Sequence, residues 1–237
     1  MGLYEEPILR FAGDRGLLVE LGDEISPQIN KEVRILNLLI QRSNIQGVVE
    51  TIPTYRSILV YYDPLEIDVK ELCLIIKKLA LQKQEIHLTE PKLVEIPVCY
   101  GGELGPDIEF VAQYHNLAVE DVIRLHSEPL YQIYMMGFTP GFPFLGGLPE
   151  ILETPRLPTP RLQVPAGSVG IATRQTGIYP ITSPGGWNLI GRTPIRLFFP
   201  EREEPFLYRP GDLIKFRPIS LEEFRDIHAR EYKDSDP

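Results

Sequence analysis

GFTPGFPFLGG, residues 137–147, opens a run to Pro194 that holds ten of the chain's 19 glycines and ten of its 23 prolines. A long helix cannot persist through such a run, because proline removes an amide donor and glycine carries the largest backbone entropy cost. Short strands separated by turns can form there, which is the pattern of a closed sheet or barrel. The residues of the run that are charged at neutral pH are Glu150, Glu153, Arg156, Arg161, Arg174 and Arg192. It is a cationic, aromatic, turn-dense segment inside a protein of net charge -9.

Working outward, short strands are expected over 130–136, 168–173, 178–182, 195–199 and 213–216. Two short helices after Asp107 carry Phe110, Val111 and Tyr114, then Val122, Ile123 and Leu125. Ser220 with Glu223 forms a capping box for a last helix through Phe224, Ile227 and Tyr232, after which Lys233 to Pro237 fray. Toward the N-terminus, two strands over 8–21 flank a turn at Gly13-Asp14-Arg15-Gly16. Ser26-Pro27 caps a helix over 27–42 whose Ile29, Val33, Leu36 and Ile40 form one apolar stripe. Strands over 47–53 and 57–62 follow, then a helix capped by Asp68 that carries Val69, Leu72, Cys73, Ile76 and Leu79. A strand over 92–98 completes the order strand, helix, strand, strand, helix, strand, the split βαβ pattern. Pro91 marks the boundary between an N-terminal α/β domain, residues 1–90, and a β-rich domain, residues 91–237.

The 237 residues, 43% hydrophobic and 24% charged, suffice for two cores. The acidic balance argues against nucleic acid, which needs a clustered basic face. Two cysteines, Cys73 and Cys99, suit a reducing compartment and supply neither a disulfide framework nor a metal quartet. The first residues carry acids where a secretory signal carries bases, and no run approaches the roughly 18 apolar residues of a membrane span. The expectation is a cytoplasmic protein that acts on no membrane. A phosphate-binding loop, a dinucleotide fingerprint and a histidine pair with metal spacing are all missing from the sequence, so no metal site is assigned. Ser168 within AGSVG resembles a nucleophile elbow, but Pro165 precedes it and a β-like run follows, where the elbow requires a helix.

The candidate site lies within the opening run. Arg156 and Arg161 sit on a proline-stiffened segment, and a guanidinium recognises carboxylate or phosphate bidentately; pairing with the protein's own acids is the alternative. Phe138, Phe142, Phe144, Tyr179 and Trp187 suit the lining of a groove between turn-rich loops. Arg192 is a third candidate anion contact. Gln163, Gln175 and Tyr179 are candidate donors to a developing oxyanion, and His126 is the candidate general acid or base.

With these residues in view, the chain resembles the KipI family, also called allophanate hydrolase subunit 1 and now the B subunit of 5-oxoprolinase. The resemblance rests on Gly13-Asp14 with LLVELG, Pro53-Thr54-Tyr55-Arg56-Ser57, Tyr61-Tyr62-Asp63-Pro64 and IPVCYGGELGPD from Ile96. GFTPGFPFLGGLP, the two Pro-Arg pairs, VPAGSVGIA, QTGIYP and SPGGWNLIGRTP then follow in order. Phe144 stands where the family often has tyrosine, and Thr173 where it often has glycine, which crowds a turn. The resemblance implies an α+β two-domain protein with a C-terminal cyclophilin-like β-barrel. It implies a component of an ATP-dependent 5-oxoprolinase that opens 5-oxo-L-proline to L-glutamate with companion A and C subunits. The chain would be inactive alone, with ATP and magnesium bound here or by a partner. The resemblance also implies two alternatives, a module of urea amidolyase-type hydrolases and an inhibitor of a sensor histidine kinase. Catalytic roles are then expected for His126, Arg161 and Gln175, and substrate contacts for Phe138, Phe142, Arg156, Gln163, Tyr179, Trp187 and Arg192.

Overall fold

The structure, a computed structural model, describes every residue except 1, 83–85, 87 and 233–237. The expected fraying of Lys233 to Pro237 lies outside the described residues. The chain divides into two compact units, residues 1–90 and 91–237.

In the first unit, β1 (Leu3–Phe11) and β2 (Gly16–Gly22) form a hairpin, followed by α1 (Pro27–Arg42), β3 (Val48–Pro53), β4 (Ser57–Tyr62) and α2 (Val69–Leu81). The helix starts follow from their caps. Ser26 Oγ accepts the Ile29 amide at 3.3 Å, and Asp68 Oδ1 accepts the Lys70 amide at 2.8 Å. The strands pair antiparallel in the order β1-β2-β4-β3. Alternate residues Leu17, Val19 and Leu21 of β2, with Ile58 and Val60 of β4, share a core with Val33, Leu36 and Ile40 of α1 and Leu72 and Ile76 of α2. Cys73 packs against this core.

The unit departs from the expected element order at one place. A split βαβ arrangement is present, since β4 lies between the other strands of the sheet and β3, which is reached from β2 through α1. Its outer strand beside β2, however, is β1 and not the strand over 92–98. That later strand, β5 (Leu93–Tyr100), belongs to the second unit, where both its edges are hydrogen-bonded.

The second unit continues with α3 (Ile108–Tyr114), α4 (Val119–Ser127), β6 (Tyr131–Met136), β7 (Pro143–Gly146), β8 (Arg161–Val164) and β9 (Ser168–Ala172). It then runs through β10 (Gln175–Ile178), β11 (Ser183–Gly185), β12 (Asn188–Arg192), β13 (Leu213–Pro218) and α5 (Leu221–Glu231). Seven strands close a barrel in the order β10-β7-β6-β13-β5-β12-β9. Only β5 and β13 run parallel among these pairs. Inside sit Ile96, Val98, Tyr131, Ile133, Leu145, Val169, Ile171, Ile190, Ile214 and Phe216, joined by Val111 of α3 and Val122 of α4. The remaining two strands, β8 and β11, make a separate two-stranded sheet. At the last helix, Ser220 Oγ accepts the Glu223 amide at 3.1 Å, as the capping box requires.

Two expected strands do not form where expected. Residues 179–182 carry no strand; β10 lies before them, ending at Ile178 ahead of Pro180. The turn that starts it is at Thr173, whose φ of 50° lies in the left-handed region. A β-branched residue pays about 1–2 kcal/mol there and glycine does not, which gives the crowding at this turn a physical size. The expected strand over 195–199 forms no regular strand; Phe198 makes an isolated bridge to Phe206 between Pro194 and Pro200.

Candidate functional site

The barrel unit carries a cavity of about 410 Å³ with aromatic walls. Phe142 forms its floor, 2% exposed, and meets Tyr179 at 5.1 Å and Trp187 at 5.5 Å between ring centroids, both edge-to-face. Phe144 tilts against Phe142 at 4.9 Å, and Phe138 meets Phe142 edge-on at 5.5 Å. Edge-to-face contacts place the positive ring edges against negative faces and fix each ring's orientation. Phe138 is 64% exposed and has a φ of 65°, a strained backbone position from which its ring touches Phe142 and Tyr179 and otherwise faces solvent. Leu157, Pro160 and Pro184 complete the apolar lining, and Gly185 allows the close approach of Tyr179: a Cβ there would lie 2.5 Å from the phenol oxygen.

One cation lines this cavity. Arg156 makes no ion pair with another described residue, whereas the other three arginines of the run are engaged. Arg161 Nη2 donates to Asp107 Oδ1 at 2.7 Å and Nη1 to the Trp187 carbonyl at 3.4 Å. Arg174 Nε donates to Glu153 at 3.0 Å on the surface. Arg192 Nε donates to the Ala166 carbonyl at 2.7 Å. Of the three candidate donors, Tyr179 lines the cavity. Gln163 is exposed on β8 and Gln175 begins β10; neither lines it. Burial pushes the Tyr179 phenol up, partly offset by a hydrogen bond from the Trp187 backbone and by the charges of Arg156 and Arg161, so it keeps its proton at neutral pH.

His126 is not at the cavity. It is fully buried at the end of α4, stacked on Phe216 at 4.6 Å. Thr176 Oγ1 donates to the Gly170 carbonyl at 3.0 Å, so it accepts from His126 Nε2 at 2.9 Å. Nδ1 then accepts from Tyr100 Oη at 2.8 Å. Both ring nitrogens are occupied, and burial lowers the pKa to about 3. An imidazole so held does not exchange protons near neutrality, and the acid/base role expected from the sequence gives way to a structural one. The sign for stability follows. Between the unfolded value near 6.5 and about 3, the unfolded chain binds a proton that the folded one does not. Stability from this group alone is therefore lost as the pH is lowered through that window, by about 1.4 kcal/mol per unit. Urea unfolding at pH 6.5 and 5 should show a His126→Asn variant losing about 2 kcal/mol less than the wild type over the same step; equal losses would refute the assignment.

Ser168 is 2% exposed and starts a strand, not a helix, which removes the elbow geometry. Among the described residues no group of three His, Cys, Asp or Glu side chains is placed to hold a metal ion, and no helix is long and apolar enough to cross a membrane. The site residues that sequence reasoning missed are Asp107, Leu157, Pro160 and, on β11, Pro184 and Gly185. The Gly-Gly before Trp187 is the available sign that backbone and rings approach closely there.

Comparison with known proteins agrees with this architecture. A family model described as carboxyltransferase domain, subdomain C and D, matches residues 7–208. The 5-oxoprolinase B subunit of Bacillus subtilis is 42% identical over 214 residues, covering 86% of this chain and 89% of that protein. A crystal structure of a conserved uncharacterized protein from Pyrococcus horikoshii is 50% identical, with a TM-score of 0.55 over 92% of this chain and all of that one. The crystal structure of TTHA0988 superposes with a TM-score of 0.76 at 38% identity; 87% of this chain is covered, but it spans only 40% of that longer chain. The chain belongs to the family of 5-oxoprolinase B subunits.

Proposed function

We propose that this chain is the B subunit of an ATP-dependent 5-oxoprolinase, that its barrel is of the cyclophilin-like kind, and that the aromatic cavity receives the 5-oxo-L-proline ring. One observation carries the reading: an apolar cavity walled by five aromatic rings has at its edge one guanidinium, Arg156, that pairs with no described acid. A small cyclic amide bearing one carboxylate matches that pattern. The flat ring packs among Phe138, Phe142, Tyr179 and Trp187, the carboxylate meets Arg156, and the Tyr179 hydroxyl donates to the lactam oxygen. Hydrogen bonding there strengthens as charge develops on that oxygen during ring opening.

ATP and magnesium fit this cavity poorly. A triphosphate calls for several cations or a cradle of backbone amides, and the lining supplies one guanidinium and mostly apolar atoms. Phosphoryl transfer is therefore assigned to a companion subunit, and no step of it is routed through these residues. Reconstitution tests the function. This chain mixed with its companion A and C subunits should release glutamate from 5-oxoproline when ATP and magnesium are supplied, and should release none when this chain is omitted. Glutamate release that does not require the chain would refute the proposal.

A further inference from the structure

Arg161 and Asp107 are separated by 54 positions, yet they form a 2.7 Å pair whose side chains are 30% and 13% exposed. Asp107 is bound at more than one point. Its Oδ2 accepts the Leu189 amide at 2.7 Å, and its own amide donates to the Leu189 carbonyl at 2.9 Å. Arg161 reaches back to the Trp187 carbonyl. Alongside, the Leu157 amide donates to the Gly186 carbonyl at 2.8 Å and Asn188 Nδ2 to the Pro155 carbonyl at 2.8 Å. These links join two segments that line the cavity, the proline-stiffened arm carrying Arg156, Leu157 and Pro160, and the segment carrying Gly186 and Trp187.

We infer that Asp107 and Arg161 are a positioning pair that sets the spacing between the Arg156 arm and the Trp187 wall, so that Arg161 orders the site without touching substrate. Arg161 does not line the cavity, and its charge is matched by Asp107. The anion site is then monovalent, with Arg156 as its one cation. A charge-assisted pair that is mostly shielded from water, anchored at one end by a main-chain amide, holds geometry better than an exposed pair. The proline arm loses little entropy on being fixed, so the pair, added to the Leu157 and Asn188 links, completes its placement at little cost.

This inference rests on the reading of the cavity as the 5-oxoproline site, and the test separates the two. In the complex with the companion subunits, Asp107→Asn and Arg161→Gln should each raise KM for 5-oxoproline about tenfold with kcat within about twofold. The double variant should again give about tenfold, because both substitutions remove one and the same link. Arg161→Lys, which keeps the charge, should recover most of the loss. Trp187 is the sole tryptophan, so emission of the isolated chain reports the wall directly and should shift in both single variants. A hundredfold rise in the double variant would show independent contributions, with Arg161 contacting substrate, and would overturn the inference. So would unchanged KM and emission accompanied only by a lower Tm. Should Asp107→Asn fail to fold, Arg161→Gln and Arg161→Lys, which leave the Leu189 contact intact, decide the matter by the same readings. Arg156→Ala is the control for the site itself: if it too leaves KM unchanged, the cavity reading fails, not the positioning role.

Discussion

Replacing Tyr179 with phenylalanine in the assembled enzyme should lower kcat for 5-oxoproline about a hundredfold while moving KM less than about threefold. The ring stays, so the edge-to-face contacts with Phe142 and Trp187 remain and the cavity keeps its shape. Only the hydroxyl is lost. Burial holds that hydroxyl protonated, and the Trp187 backbone fixes its oxygen, so the O–H is preorganised as a donor. In the ground state the lactam oxygen is a modest acceptor; as the amide is attacked it takes up charge, and the hydrogen bond strengthens. Loss of one such donor typically costs two to three powers of ten in rate. Steady-state glutamate release measures it, and a kcat within twofold of wild type would reduce Tyr179 to a wall.

Arg156→Ala should do the reverse, raising KM about thirtyfold with kcat nearly unchanged. The carboxylate of 5-oxoproline is distant from the bond being broken and its charge is the same in substrate and transition state. A contact to it therefore contributes uniform binding, which appears in KM. A charge-assisted hydrogen bond contributes about 1.5–3 kcal/mol, and the exposure of Arg156 to solvent places the effect in the middle of that range. Arg156→Lys should restore only part of the affinity, since an ammonium cannot bind a carboxylate through two parallel N–H groups. Equal KM values for wild type and Arg156→Ala would place the anion contact elsewhere.

The helices and the N-terminal strands are legible in the sequence because local signals are enough for them: a cap, a proline at the first turn and a 3.6-residue stripe specify α1, and α2 and α5 follow the same logic. The aromatic lining is legible too, because five rings among glycines and prolines have few other places to go. Three things are not. The ownership of β5 is hidden because alternation describes a strand and not its neighbours; only the pairing of β5 with β12 and β13 shows that it belongs to the barrel. Short strands such as β7, with Pro143 and Gly146 at its ends, and β8, with its exposed Leu162 and Gln163, lack the β-branched runs that announce a strand. His126 is misread from sequence because a histidine's chemistry depends on burial and partners, and Tyr100 and Thr176 lie 26 and 50 positions away. Arg161 belongs with it: the sequence shows two similar arginines on one arm, and only the structure shows that one of them is met by Asp107.

The parallel pairing of β5 with β13 also constrains how the chain comes together. Leu213 lies opposite Leu93, so this seam of the barrel closes across 120 positions. The first unit has no such delay: β1 and β2 are a local hairpin, and its last helix is complete at Leu81. Contacts between near neighbours form early and cost little loop entropy, whereas a distant seam is slow. During synthesis the first unit can settle while the barrel strands are still emerging, and the barrel stays open until β13 arrives. The core residues of the seam, Val94, Ile96, Ile214 and Phe216, are thus among the last surfaces to leave water, so the step most exposed to aggregation is the closing of the barrel on which the cavity is carried.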